Sequence, residues 1–159
     1  MNLQEKYNNF FNALTICVDE YENRIPCGRI YDLHPGKGVC FRGTIELLQS
    51  IEDALEEMKC PQSFTGKRMF WPEVNKTKPE TISEGIRAGM VGTFSLRILF
   101  RQNASWQGGV AWIEGKAEQS FRSVLELLLL MDSALNSSTR NSKKIENDSK
   151  TNKEGDKNE

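Results

Sequence analysis

The sequence predicts an α+β protein that contains two strand–strand–strand–helix units in tandem. The first observation is a repeated segment: "CFRGTIELLQSIEDAL", residues 40–55, returns as "SFRSVLELLLLMDSAL", residues 120–135. The second is the near-alternation of apolar and polar side chains in "TFSLRILFR", residues 93–101, which is the period of a half-buried strand. Together they predict an antiparallel sheet with two helices, in which the units are related by a pseudo-twofold rotation.

The two segments align without a gap at a spacing of eighty residues. Seven of the fifteen positions from 41 to 55 are identical in both copies, whereas unrelated sequences of average composition would share about one. The identical pairs are Phe41/Phe121, Arg42/Arg122, Glu46/Glu126, Leu47/Leu127, Leu48/Leu128, Ala54/Ala134 and Leu55/Leu135. Over residues 16–55 the match falls to nine in forty. We interpret this as an internal duplication with diverged strands.

The second unit shows its elements most clearly. After the first strand come a turn-rich break at residues 103–109, a second strand at 110–114 and a short third strand at 117–121. A helix begins at Ser123, because "SVLE" is a capping box in which the serine hydroxyl and the Glu126 carboxylate satisfy the first free backbone amides. The residues predicted for its buried face are Val124, Leu127, Leu128, Met131 and Leu135.

The first unit follows the same plan in weaker form. Its strands are predicted at residues 15–18, 29–33 and 39–41, with a turn at "HPGKG". A helix then begins near Gly43 and runs to about Met58, with Glu46 in the position of Glu126.

The two units are expected to share one core within a single domain, residues 1–135. Each unit, residues 16–58 and 93–135, is near the lower size limit for independent folding. A helix is predicted at residues 2–14, where an apolar stripe is formed by Leu3, Tyr7, Phe10, Phe11 and Leu14.

Two further segments are polar. Residues 59–91 are predicted to be a linker that is anchored by Met69, Phe70 and Trp71. Residues 136–159 contain one strongly hydrophobic residue, Ile145, so they are predicted to be a disordered tail.

Composition argues against several classes of protein. The net charge of −1 offers no attraction to nucleic acid or to an anionic membrane. The longest apolar run, residues 127–131, is far too short to span a bilayer, and the first residues do not resemble a secretion signal, so we expect a cytoplasmic protein. The cysteines, Cys17, Cys27, Cys40 and Cys60, lack the spacing of a metal site and are expected to be free thiols. Neither a cofactor nor a metal is expected, and no pattern of catalytic residues indicates an enzyme.

The loop "NASWQGG" is the most distinctive candidate site. Trp106 and Gln107 suit a surface that stacks on a partner or forms hydrogen bonds with it. Trp106 can equally plug the open end of the sheet, with Gly108 and Gly109 allowing a bulge or a close backbone approach.

Arginines form a second set of candidates. Arg42 and Arg122 are repeated, so they either present forked donors to a ligand or merely accompany the helix-capping glutamates. Arg97 and Arg101 are predicted on the polar face of one strand, where a nucleic-acid reader would use them together with Arg122.

The second helix is more apolar than the first. Leu129 and Leu130 stand where the first helix has Gln49 and Ser50. The second helix is therefore expected to lie centrally between the N-terminal helix and the sheet, or to use Leu130 in an interface with another chain.

The marks "NASWQG" and "FRSVLELLLLMDSAL", within residues 94–135, resemble those of short bacterial proteins that carry one such unit and that accompany plasmids, conjugative elements and phage-derived regions. The first copy retains the second mark only. The resemblance implies an accessory protein of mobile DNA, a context that includes transcriptional regulators, conjugation accessories and inhibitors of host defence such as anti-CRISPR proteins.

These observations favour a non-enzymatic protein-binding module that acts as an inhibitor or an adaptor. The alternative is a nucleic-acid-binding regulator that uses the sheet face and the repeated arginines. A protein partner is expected, and a monomer is favoured over a homodimer, because fusing two units can replace the pairing of two chains.

Overall fold

The described residues form one antiparallel sheet of seven strands and two helices, in agreement with the predicted α+β class. The computed structural model describes residues 13–32, 37–59, 61–63, 66, 68–70, 78–102 and 105–151. The strands are β1 (Ala13–Glu22), β2 (Ile25–Tyr31), β3 (Gly38–Arg42), β4 (Thr81–Ile82), β5 (Gly92–Phe100), β6 (Gln107–Trp112) and β7 (Ala117–Phe121). The helices are α1 (Gly43–Met58) and α2 (Val124–Thr151).

The sheet is built outward from its centre. Its strand order is β4-β3-β2-β1-β5-β6-β7, so β1 and β5 lie side by side in the middle. The strands that follow β1 occupy one half of the sheet, and those that follow β5 occupy the other. Each half ends in a helix, and β4 is added at the outer edge of β3.

The pairings define the register of the sheet. All of them are antiparallel, and the β1–β2 and β5–β6 ladders are each interrupted once, after Val18 and after Ile98. Representative pairs are Thr15 with Ser95, Ile16 with Ile30, Leu96 with Val110, Gly28 with Phe41 and Gly108 with Phe121.

The hydrophobic core lies between one face of the sheet and the two helices. Strand side chains on this face alternate with those on the other, and the paired residues of neighbouring strands share a face. The sheet contributes Leu14, Ile16, Val18, Ile30, Phe41, Phe94, Leu96, Ile98, Val110 and Phe121. The helices contribute Leu47, Ile51, Leu55, Leu127, Met131, Ala134 and Leu135.

The centre of the opposite face is buried as well and is polar. Arg29, which is only 4% exposed, donates from Nε and Nη2 to the two carboxylate oxygens of Asp19, at 2.8 Å each, and from Nη1 to Tyr31 Oη at 3.0 Å. Burial raises the pKa of the neighbouring Cys17 thiol to about 11, and it raises the pKa of Cys40 as well. Both thiols are free, and so is that of Cys27. Cys60 lies outside the described residues.

Several element bounds differ from the sequence-based predictions, since β1, β2 and β6 each begin earlier than expected. Ala13 and Leu14 were predicted to end the N-terminal helix, but they are the first residues of β1. Leu14 shares the core face with Ile16, two residues later, and it pairs with Leu96 of β5. The remainder of that predicted helix lies outside the described residues. The predicted linker contains β4, because residues 80–82 pair with β3.

The predicted disordered tail also differs, because α2 continues to Thr151. Leu135 is buried at the last core turn, so the helix is already nucleated there and each further residue costs little to add. Polar side chains of the next turn bond back to the helix: Asn136 Nδ2 donates to the Asp132 carbonyl at 2.9 Å, and Ser137 Oγ donates to the Ser133 carbonyl at 2.9 Å. Residues 152–159 lie outside the described part.

Candidate protein-binding surface

Trp106, a candidate for contact with a partner, is buried in the structure. The side chain is 8% exposed and belongs to the core. Its indole N–H donates to Glu52 Oε2 of α1 at 3.0 Å. The tryptophan therefore closes the end of the sheet, which was the other interpretation of the loop. Gln107 stays exposed at the start of β6.

The Arg101 side chain is also buried. It is 4% exposed, and its Nη1 donates to Glu52 Oε1 at 2.7 Å while its Nε donates to the Pro61 carbonyl at 2.9 Å. Buried arginines are held by such fixed acceptors, because an unpaired charge could not remain there. The nucleic-acid hypothesis needs Arg97, Arg101 and Arg122 on one accessible face, and burial of Arg101 removes it from that set.

Glu52 is a structural residue that sequence reasoning missed. Its two carboxylate oxygens bind Arg101 and Trp106, which belong to the other half of the sheet. An analogous contact joins the other helix to β1, since Tyr21 Oη donates to Asp132 Oδ1. The available signal was the alignment of Glu52 with Asp132, two acidic residues at the same helix position.

The repeated arginines lie at the starts of the helices and are exposed. The backbone N–H of Arg42 donates to Glu46 Oε2 at 2.7 Å, and that of Arg122 donates to Glu126 Oε2 at 2.7 Å. Ser123 Oγ also accepts from the Glu126 N–H at 3.2 Å. The two glutamates thus bond to the residue before each predicted N-cap, and not to the N-cap itself. Because β3 and β7 are five strand positions apart, or about 24 Å, the two arginines cannot bind one small ligand together.

The outward face of α2 carries exposed leucines. Leu125 is 66% exposed and Leu129 is 58% exposed, and the two are one turn apart on the same side of the helix. The expectation that α2 lies between the N-terminal helix and the sheet depends on residues 2–12, which lie outside the described residues, so it stays a prediction. We call Leu125 and Leu129 the leucine pair.

Leu130 is turned away from the leucine pair, toward the sheet. It is half-buried and lines an apolar groove between α2 and the outer strands, with a volume of about 280 Å³. The other lining residues include Val110, Trp112, Ala117, Gln119 and Ala134. The Trp112 indole N–H is shielded from water and has no acceptor among the described residues.

A depression of about 220 Å³, lined by both polar and apolar residues, lies on the opposite face of the same half. Arg97, Leu99, Gly109, Glu118 and Ser120 contribute to its lining. In the described part of the chain, no group of three or more His, Cys, Asp or Glu side chains could hold a metal ion. No helix within the described residues is long and apolar enough to cross a membrane.

The described part of the predicted linker also carries large exposed apolar side chains, which are those of Met69, Phe70 and Met90. Phe70 is 98% exposed and Met69 is 54% exposed, so the predicted anchoring segment does not bury these two residues on the domain. Trp71 lies outside the described residues. Comparison of the chain with protein-family models, with curated proteins and with solved structures finds no match.

Proposed function

We propose that this protein is a non-enzymatic protein-binding module, made of two duplicated units, and that the second unit carries the binding surface. The observation that carries this proposal is a difference between equivalent helix positions. Leu125 and Leu129 form the exposed leucine pair of α2, whereas α1 has Ile45, which is 70% exposed, and the polar Gln49 at these positions, so of the two described helices only α2 carries two exposed apolar side chains one turn apart. An exposed apolar stripe on one helix only is typical of a binding surface.

The register of the sheet supports the duplication. Thr15 and Ser95 are eighty residues apart and lie directly opposite each other in the centre of the sheet. A twofold rotation that superposes each residue of one unit on the residue eighty positions away would exchange Thr15 with Ser95. Its axis must therefore pass between these two residues. The other ladders agree with the same shift, since Ile16–Ile30 becomes Leu96–Val110 and the ladder irregularity after Val18 recurs after Ile98.

The close contacts of the backbone support it as well. A side chain at Gly28 would collide with the carbonyl oxygen of Cys17, and one at Gly108 would collide with that of Arg97. These two glycines are equivalent under the eighty-residue shift, and so are their two neighbours. Each half thus needs glycine at the same point, for the same reason.

In this proposal the duplicated frame provides rigidity and the divergent positions provide recognition. The core is continuous across both halves, so the leucine pair is held on a fixed support. The resemblance to mobile-element proteins extends the proposal to an inhibitor or adaptor that acts on a mobile-element or host-defence complex. That extension rests on the sequence marks alone.

The test is a pull-down with the tagged full chain from a lysate of the source bacterium, with and without nuclease. The variant Leu125→Glu/Leu129→Glu is compared with Ile45→Glu/Gln49→Glu, which introduces glutamates at the equivalent positions of α1. We expect that one partner protein is still captured after nuclease treatment and that it binds the α1 variant as tightly as the wild type. Its affinity for the α2 variant should be at least about tenfold lower.

Two outcomes contradict the proposal. Equal capture by the α1 and α2 variants would show that the leucine pair does not bind the partner. Recovery of DNA or RNA, with loss of every captured protein after nuclease treatment, would favour the nucleic-acid-binding regulator instead.

A further inference from the structure

The two outer edges of the sheet are treated differently. The outer edge of β3 is covered by β4, in which Ile82 lies opposite Gly38, and Cys40 N–H donates to the Glu80 carbonyl at 2.8 Å. At the other end, β7 is the last strand of the sheet, and no described strand pairs with its outer edge. Uncovered edges are templates for pairing with another chain.

The backbone of Ser120 is directed toward this open edge. Phe121 lies opposite Gly108 as Phe41 lies opposite Gly28, so β7 pairs with β6 in the same register in which β3 pairs with β2. Ser120 therefore corresponds to Cys40, whose N–H points away from β2 to β4. The N–H of Ser120 accordingly points away from β6.

We propose that two copies of the chain pair antiparallel through β7 about a twofold axis at Ser120, so that two seven-stranded sheets become one. In this register Glu118 lies opposite Arg122 of the second copy, and the contact occurs twice. Both side chains are exposed; Arg122 is the residue that follows β7, and its guanidinium lies 3.6 Å from Glu126 of its own chain. Opposite charges across paired backbones stabilise the pairing. An axis at Gln119 would instead place Glu118 opposite Ser120, so the charges favour the axis at Ser120.

The apolar groove supports the same arrangement. A twofold axis perpendicular to the sheet keeps α2 of both copies on one side of it. Ala117 and Gln119 of β7 line the groove together with Leu130 of α2, so the two grooves meet above the paired strands. Their apolar walls then lose contact with water, which contributes to association.

The isologous contact and the shortness of the other edge strand limit this assembly to two copies. An isologous contact uses the same patch of both subunits and closes on itself. Further growth would need a second long open edge, and the strand at the other edge, β4, has only two residues and is a poor template for pairing. The inference goes beyond the proposed function, and it replaces the monomer that the sequence led us to expect.

The experiment is sedimentation of the full chain over a range of micromolar concentrations. We expect a species of twice the chain mass of 18.1 kDa. Ser120→Pro removes the outward N–H and should sediment as a monomer, whereas Ser120→Ala keeps it and should remain a dimer. Far-ultraviolet circular dichroism checks that each variant is folded.

Charge reversal tests the register without proline. Glu118→Lys and Arg122→Glu each create like-charge contacts across the axis, so each should weaken dimerisation. The double variant restores opposite charges in every contact and should recover it. A wild-type monomer throughout the range, a dimeric Ser120→Pro variant or a double variant no better than the single variants would overturn the proposal. Because these readouts need no partner protein, their failure leaves the leucine-pair proposal untouched.

Discussion

At the scale of single residues, the helix carboxylates hold the two halves of the protein together. Glu52 binds the buried guanidinium of Arg101 and the indole of Trp106 with one carboxylate. Their shared contact with Glu52 was not recognisable in the sequence, because each is about fifty positions away from Glu52. A surface arginine and a loop tryptophan therefore resembled binding residues until their common acceptor was seen.

Replacing Glu52 with alanine should destabilise the fold strongly. Removing one member of a buried ion pair costs about 3–5 kcal/mol, because the remaining charge is left without a partner. Here the Trp106 N–H also loses its acceptor. Urea unfolding of Glu52→Ala is compared with that of Glu57→Ala, an exposed position of the same helix that should change stability by less than about 0.5 kcal/mol. Similar midpoints for the two variants would contradict the role of Glu52.

The Tyr21–Asp132 contact should make stability sensitive to alkaline pH. Burial, together with the hydrogen bond to Asp132, raises the pKa of Tyr21 from 10 to about 12. A group with a raised pKa stabilises the fold fully below its unfolded value, and the contribution is lost as the pH rises through the folded value. Stability should therefore fall between pH 10 and about pH 12.

The same contact should also make stability sensitive to acid pH, through Asp132. The hydrogen bond from Tyr21 lowers the pKa of Asp132, so its contribution is lost as the pH falls below the ordinary aspartate range. Tyr21→Phe should flatten both limbs of the stability profile, measured as urea midpoints across the pH range. A variant with the alkaline slope of the wild type would show that Tyr21 does not cause it.

At the scale of elements, the close approach of the paired strands β5 and β6 depends on a single glycine. A side chain at Gly108 would overlap the carbonyl oxygen of Arg97, whereas one at Gly109 would have its nearest neighbour at 3.7 Å. The equivalent of Gly109 in the first half is Arg29, so that position accepts a side chain.

Gly108→Ala should therefore be costly and Gly109→Ala nearly neutral. Backbone cannot move aside as a flexible side chain can, so we expect about 1–3 kcal/mol or more for the first variant. Thermal unfolding of the two single variants provides the comparison. Equal melting temperatures would mean that the strands separate easily at this point.

The sequence predicted the elements with local signals and missed those set by distant contacts. The bounds of α1 and of β7 agree with the predictions because a capping glutamate and a tight turn mark them within a few residues. The start of β1 was misplaced, since Leu14 fits a helical stripe equally well and only its pairing with Leu96 decides the matter. The strand β4 has two residues and no pattern of its own, so only its pairing with β3 reveals it.

The candidate site was predictable only in part, for the same reason. The apolar excess of the second helix was visible as Leu129 and Leu130 in place of Gln49 and Ser50. Which of the two leucines faces solvent depends on how the helix lies on the sheet, and the structure turns Leu129 outward. The open edge of β7 follows from the strand order, which no local pattern encodes.

At the scale of the whole molecule, the two halves complete one another. The pairing of β1 with β5 forms the centre of the sheet, and side chains from both halves fill one core. The contacts of Glu52 and Asp132 each cross from the helix of one half to a strand of the other. A half of about forty residues would expose its central strand and leave Arg101 or Tyr21 without its acceptor.

Cutting the chain between residues 66 and 78 should therefore give two fragments that are unfolded separately and fold when mixed. The cut lies outside every described strand and helix, and β4 stays on the second fragment, so all pairings can re-form across the break. Far-ultraviolet circular dichroism of each fragment should indicate little structure. An equimolar mixture should recover the spectrum of the intact chain, with a concentration-dependent melting temperature because folding becomes bimolecular. A fragment that folds alone as a monomer would show that one unit suffices for a core, and the shared-core account of the duplication would then fail.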